Sequence, residues 1–104
     1  MSVITGSVLV QPGRMGEAVA LGVEHSTRSR GEPGCIAHNV HVDAEDGRRL
    51  VFLELWADVA SVKAHFAVPA SGAFVRTLTA MAETAPEMRI YAAEDMTAAL
   101  RGAA

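Results

Sequence analysis

The segment Arg49–Ala57 constrains the fold most, because it is apolar on both of its faces when it is read as a β-strand. Val51, Leu53 and Leu55 alternate with a second set of side chains that point the other way. This second set consists of Leu50, Phe52, Glu54 and Trp56. A strand that is apolar on both sides is typical of a sheet with both faces covered. The segment therefore predicts a sheet that needs a cover on each side.

The rest of the chain supplies three more strands and two helical regions. The strands are predicted at Val3–Val10, Cys35–Asp43 and Met88–Ala93, and the helices at Arg14–Ser29 and from Val59 to about Glu83, with an interruption at Pro69. The order β-α-β-β-α-β is typical of an α+β, ferredoxin-like fold with a four-stranded antiparallel sheet. Because 104 residues suit one folding unit, residues 1–104 are predicted to form a single domain with an ordered core at about 3–94 and a frayed tail.

Helices in this fold cover only one face of the sheet, so the other face stays bare in a lone subunit. We expect the bare face to be the one that carries Phe52 and Trp56. Large exposed apolar patches usually mark an interface or a ligand cleft. The sequence therefore predicts a homodimer through the sheet face, two sheets packed against each other, with a small cavity beside Trp56.

Composition excludes several classes of protein. The net charge of −3 argues against a nucleic-acid surface, which needs clustered Lys and Arg. The longest apolar runs fall short of the ~20 residues that span a bilayer, and the first residues do not resemble a secretion signal, so no membrane partner is expected. The single cysteine, Cys35, has no internal partner and fits a reducing compartment, so a cytoplasmic protein is expected.

Three residues near the predicted cavity have side chains suited to catalysis. Glu54 lies among apolar residues, where a carboxyl group either pairs with a cation or has a raised pKa, which suits a general base. Trp56 either stacks on a flat substrate or fills the core. His65, in the helix after the Trp56 strand, either takes a proton from a phenolic hydroxyl or lies on the helix surface.

The remaining histidines do not predict a metal site. His38 and His41 are three residues apart on one strand, so they point to opposite faces and cannot chelate one ion. His25 stands alone on the first helix. We expect either His38 or Asn39 to bond substrate oxygens, and alternation leaves open which of their two faces lines the cavity.

Several motifs, taken together, resemble the antibiotic biosynthesis monooxygenase family, over roughly Val3 to Ala93. They are Arg30-Gly31-Glu32-Pro33-Gly34-Cys35, Glu54-Leu55-Trp56-Ala57-Asp58, and Ala64-His65-Phe66 followed by Pro69 and Phe74. The resemblance implies a dimeric α+β barrel and, as in several members, oxygenation of an electron-rich aromatic such as a quinol or anthrone without metal, flavin or haem. Many members also carry a second histidine just past the proline, where this chain has Ala70 and Ser71.

On this resemblance we predict a cofactor-independent monooxygenase acting on a small aromatic substrate, with no metal and no other cofactor. The predicted catalytic residues are His65, Trp56 and Glu54, and the predicted substrate contacts are Phe52, Asn39, His38, Phe66 and Phe74. One alternative is an isomerase or lyase that acts on a small carbonyl metabolite with the same acid–base groups. Another is haem binding or degradation, and a third is a non-catalytic ligand-binding dimer, which the missing second histidine favours.

Overall fold

The computed structural model describes residues 1–102, so the last two residues of the predicted domain 1–104 lie outside the described residues. The elements in chain order are β1 (Ser2–Leu9), α1 (Met15–Ser29), β2 (Cys35–Asp43), β3 (Asp46–Trp56), α2 (Val59–Ala67), α3 (Pro69–Met81), β4 (Glu87–Ala92) and α4 (Thr97–Arg101). The strands form one sheet in the order β2-β3-β1-β4, and every neighbouring pair is antiparallel. The predicted α+β, ferredoxin-like fold is confirmed.

The helical region from Val59 is divided where the sequence predicts it. Val68 is extended (φ −66°, ψ 123°) because the residue before a proline is pushed out of the helical conformation, and Pro69 then begins α3. The helix α3 ends at Met81, two residues before the predicted end. The short helix α4 follows β4 in the tail that was expected to fray. Within residues 1–102, the helices are too short or too polar to cross a bilayer.

The helices cover the face of the sheet that was expected to be bare, so that prediction is wrong. Trp56 is fully buried and packs with Ile4 and Val62, the latter from α2. Phe52 packs in a second cluster under α1 and α3. Aromatic residues make up only 5% of the chain, and these two large rings fill the space between sheet and helices.

The outer face of the sheet carries the smaller apolar set. Val51 and Leu55 are partly buried there, and Leu53 is 41% exposed. Alternation along β3 had grouped these residues correctly, because pleating fixes which side chains share a face. It did not determine which of the two apolar faces receives the helices.

The turn before β2 is locked to the start of α2. Gly34 has a φ of +82°, a conformation that favours glycine, and its carbonyl accepts a hydrogen bond from the Ala57 amide at 2.8 Å. Asp58 caps α2 by accepting from the Ser61 amide at 2.8 Å and from Ser61 Oγ at 2.7 Å. These contacts fix where α2 begins and therefore where His65 lies.

Candidate active site

A cavity of about 620 Å³ lies between α2, α3 and the helix-covered face of the sheet. Its volume falls in the range typical of small-molecule sites. The apolar wall includes three rings predicted to contact substrate, Phe52, Phe66 and Phe74. Polar side chains that line it include His25, Glu54, His65 and Ser71. The sequence therefore identified five of the lining residues, all three phenylalanines together with Glu54 and His65.

Asn39 does not belong to this cavity. It pairs with Leu53 across β2 and β3 on the outer face of the sheet, and its side chain is exposed. His38, its neighbour, is fully buried on the helix-covered face. The helix-covered face that borders the cavity is therefore the one that carries His38, but His38 itself does not line the cavity, so neither of the predicted contacts, His38 and Asn39, reaches a substrate there.

Trp56 is not a wall on which a substrate stacks, because it is fully buried and does not line the cavity. Its indole Nε1 instead donates a hydrogen bond of 2.9 Å to Glu54 Oε1. The ring also lies against His65, with 4.6 Å between ring centroids. The predicted stacking role is therefore corrected. Trp56 instead supports Glu54 and His65, two residues that line the cavity.

Glu54 is a buried carboxyl group at the edge of the cavity, 8% exposed. Burial raises its pKa, although the hydrogen bond from Trp56 acts in the opposite direction. Its Oε1 lies 3.3 Å from His38 Nε2 and 3.8 Å from His65 Nε2. Of the two outcomes expected from the sequence, the raised pKa is the one found within the chain.

His65 is 3% exposed and is held by an acidic partner that sequence reasoning missed. Its Nδ1 donates to Glu32 Oε1 at 2.8 Å, while the other Glu32 oxygen accepts from Arg28 at 2.9 Å. A proton on Nδ1 leaves Nε2 as the lone-pair nitrogen of the neutral ring. A carboxylate that orients an imidazole in this way is the arrangement found in many general bases.

His25 and His38 join His65 to form a buried cluster of three imidazoles. The ring centroids of the three pairs lie 5.0 to 5.5 Å apart. One ring nitrogen of each lies within 4.8 Å of one from each of the others. The prediction that His25 stands apart and that no ligand cluster forms is therefore wrong.

The signal for His25 was present in the sequence. The buried positions of α1 include Ala18, Gly22, His25 and Ser29, at spacings of four, three and four. His25 lies on this buried stripe, whereas the apolar Val23 lies off it and is 49% exposed. His25 then stacks on Phe74, with parallel rings whose centroids are 3.8 Å apart.

Two of the three imidazoles are neutral near pH 7. Burial and the nearby histidines lower the pKa of His25 to about 3. Burial, again with His65 close by, lowers the pKa of His38 to about 4. His65 therefore has neutral rings on one side and the carboxyl groups of Glu32 and Glu54 on the other.

The region just past Pro69, where the family resemblance implies a second histidine, holds Ser71 here. Ser71 is buried, lines the cavity, and its Oγ accepts from Arg28 at 3.4 Å. Arg28 also donates to His25 Nδ1 at 2.8 Å. A second imidazole does reach the cavity beside His65, but it comes from α1 rather than from α3.

Comparison with known proteins agrees with this architecture. The family model for antibiotic biosynthesis monooxygenase matches residues 1–77. An uncharacterized protein of Synechocystis, sll1783, is 30% identical over 89 residues, which are 86% of this chain and 60% of that protein, so the chain spans only part of its relative's length.

Two solved structures share the fold. A crystal structure of an antibiotic biosynthesis monooxygenase has a TM-score of 0.83 at 24% identity, covering 91% of this chain and 100% of that one. A candidate antibiotic biosynthesis monooxygenase of Deinococcus radiodurans has a TM-score of 0.86 at 20% identity, covering 91% and 94%. At these identities the likeness shows the fold alone.

Proposed function

The chain belongs to the antibiotic biosynthesis monooxygenase family, and from this premise we propose that it oxygenates a small, electron-rich aromatic substrate in the 620 Å³ cavity. The observation that carries the proposal is the Glu32–His65 pair, which presents an oriented imidazole among phenylalanine rings. We propose no metal and no organic cofactor for this reaction, because a phenolate or carbanion of such a substrate can itself reduce dioxygen.

The reaction begins with proton transfer to His65 Nε2. The Nδ1 proton stays on the ring and is hydrogen-bonded to Glu32. The imidazolium that forms therefore lies between two carboxyl groups, those of Glu32 and Glu54. The negative charge of Glu32, 2.8 Å from Nδ1, stabilises the imidazolium in this buried site. General-base catalysis of this kind contributes about 10²- to 10⁴-fold in rate.

The electron balance closes for an anthrone-like substrate. Its deprotonated CH₂ carbon adds to dioxygen and gives a peroxide anion, which takes the proton back from His65 to form a hydroperoxide. Loss of water from the hydroperoxide leaves a carbonyl. One oxygen atom enters the product and the other leaves as water, and the substrate supplies all four electrons. The walls formed by Phe52, Phe66 and Phe74 suit the flat rings that such a substrate carries.

We propose that the working unit is a cytoplasmic homodimer joined through the outer face of the sheet. Leu53 is 41% exposed on that face, flanked by the partly buried Val51 and Leu55. Apolar side chains that the helices leave uncovered favour a second copy packed on the sheet. This arrangement keeps the predicted sheet-face dimer but replaces the residues that were expected to form it.

The test measures oxygen uptake and ¹⁸O incorporation with a panel of anthrones and hydroquinones. We expect His65→Gln to lower kcat by about 100-fold or more, and Glu32→Gln to lower kcat less, because the base remains but loses its orientation. The control is Glu45→Gln, since Glu45 is exposed in the turn between β2 and β3 and does not line the cavity. Unchanged oxygen uptake by His65→Gln would overturn the proposed role of the base.

A second candidate reaction is favoured by Glu54. Its raised pKa makes it a proton donor next to His65, 3.8 Å away, and such a pair enolises a carbonyl compound without oxygen. Turnover of a small carbonyl metabolite that is equally fast without dioxygen would select this isomerase or lyase reaction. Turnover that stops without dioxygen would select the monooxygenase.

A further inference from the structure

The end of the cavity formed by the histidine cluster contains an unsatisfied atom. Among residues 1–102, His38 Nε2 is the one buried side-chain nitrogen or oxygen without a hydrogen-bond partner. It lies 3.3 Å from Glu54 Oε1, but not in hydrogen-bonding geometry. Buried polar atoms are almost always partnered, so an unpartnered one that faces other polar groups indicates a missing ligand.

We propose that His25, His38 and His65, together with Glu54, bind one divalent transition-metal ion. The ring nitrogens of the three histidines already lie within 4.8 Å of one another. A tetrahedral site with metal–nitrogen bonds of about 2.0 to 2.1 Å needs nitrogens about 3.4 Å apart, so the widest separation of 4.8 Å must close by about 1.4 Å when the ion binds.

In two of the rings one nitrogen is hydrogen-bonded to a protein group and the other is free, as is usual for histidines that bind a metal ion. His38 Nδ1 is hydrogen-bonded to Ser26 Oγ at 2.8 Å, and His65 Nδ1 to Glu32 Oε1 at 2.8 Å. In both residues Nε2 is left for the ion. Both Nε2 atoms lie within 3.8 Å of Glu54 Oε1, which places the carboxylate beside the position of the ion.

His25 must change one contact when the ion binds. Arg28 donates to His25 Nδ1 at 2.8 Å, which leaves the ring proton on Nε2. Arg28 already donates to Glu32 at 2.9 Å and to Ser71 at 3.4 Å, so it keeps acceptors when it releases His25. The carboxyl groups of Glu32 and Glu54 balance the two guanidinium groups at the cluster, those of Arg28 and of Arg30, which donates to the His38 carbonyl at 2.7 Å.

The donor set indicates which ions fit. Three imidazoles and one carboxylate suit Zn²⁺, Fe²⁺, Co²⁺, Ni²⁺ or Cu²⁺, whereas Mg²⁺ and Ca²⁺ prefer oxygen ligands. His25, His65 and Glu54 also line the cavity, so the ion would lie at the edge of the space that a small molecule would occupy.

The metal site does not depend on the proposed oxygenation. It uses the His65 lone pair that the base needs, so the ion and the proposed base reaction exclude each other in one subunit. Binding is therefore measured on its own, without turnover.

The probe is Co²⁺, titrated into protein from which metals have been removed with a chelator. We expect one equivalent per chain and the intense visible absorption of Co²⁺ in a four-coordinate site, which Zn²⁺ then displaces. His25→Gln and His38→Gln should each lower the affinity by about 10-fold to 100-fold or more, and His41→Gln should leave it unchanged. Circular dichroism confirms that each variant is folded, and Glu54→Gln replaces any histidine variant that is not.

A second measurement uses the unmodified chain. Zn²⁺ should raise the Tm and Mg²⁺ should not, because binding to the folded state alone stabilises it. The proposal is overturned if Co²⁺ shows only the weak absorption of the hydrated ion, or if folded His25→Gln and His38→Gln bind as tightly as the parent. Failure of every oxygenation assay would leave these results unaffected.

Discussion

Burial of His25 and His38 makes the protein's stability depend on pH in a direction that the structure determines. The folded pKa values are lowered to about 3 and about 4, whereas a histidine in the unfolded chain titrates near 6.5. Below pH 6.5 the unfolded chain therefore binds protons that the folded chain does not. The contribution of each histidine to the free energy of unfolding is complete above pH 6.5 and is lost as the pH falls toward 4 and 3.

The size of this loss follows from the same values. Between pH 8 and pH 5, each histidine lowers the free energy of unfolding by about 2 kcal/mol, so the pair lowers it by about 4 kcal/mol. At pH 5 both histidines are still mostly neutral in the folded protein, so the size of the loss depends mainly on their pKa in the unfolded chain. Small domains have only about 5 to 15 kcal/mol in total, so the loss is a large fraction. Glu54 acts in the opposite direction, because its raised pKa lets the folded state take up a proton first as the pH falls.

The assay compares urea denaturation of the parent and of His25→Gln at pH 8 and pH 5, followed by circular dichroism and by the fluorescence of Trp56, the single tryptophan. Glutamine does not titrate, so the fall in stability should be smaller in the variant by about 2 kcal/mol. The difference between the proteins cancels the contribution of Glu54. His41→Gln is the matched control, because His41 is exposed. An equal fall in the parent and in His25→Gln would refute the reasoning, since His25 would then be charged or hydrated in the folded protein.

Four further predictions concern packing and assembly. Trp56→Phe removes the 2.9 Å hydrogen bond to a buried carboxylate and should cost about 1 to 3 kcal/mol in urea denaturation. Gly34→Ala combines a φ of +82° with a Cβ that would overlap a side chain of α2, so it should cost about 3 kcal/mol or more. Gly13→Ala, at a φ of +81° in open space, should cost only about 1 kcal/mol. Leu53→Lys places a charge on the outer sheet face and should convert the proposed dimer to a monomer in sedimentation velocity, whereas an unchanged sedimentation coefficient would place the interface elsewhere.

Local patterns were sufficient to predict the elements of this fold. Period-two and helical spacings, together with Pro69 and the turn glycines, placed each strand and the three longer helices within a few residues. The same patterns could not orient β3, because both of its faces are apolar and alternation shows only which residues share a face. Side-chain volume decides the orientation of β3, because the space between the sheet and the helices is filled by Trp56 and Phe52.

A residue of the candidate site could be predicted only where its neighbours in the sequence already showed that it was unusual. Glu54 was recognised because a carboxyl group among apolar residues is unusual. Glu32 was missed because its partner, His65, is 33 residues away, and a turn sequence does not show which helix packs against it. A shift of register between Cys35 and Ala37 likewise exposes Ile36, although regular alternation would place it on the same face as the buried His38.

The neutral histidines and the proposed base occupy one compact volume, and this affects how variants must be interpreted. His25 contacts His38, His65 and Phe74, so replacing it changes the cavity wall as well as the cluster. Loss of activity in a His25 variant therefore does not distinguish a ligand from a packing residue. Metal affinity and the pH dependence of unfolding do distinguish them, because packing alone changes stability by a similar amount at every pH, whereas a buried imidazole changes it only below pH 6.5. A His25→Gln protein that loses Co²⁺ binding and also keeps more of its stability at pH 5 would show that a buried, neutral imidazole is what the ion requires.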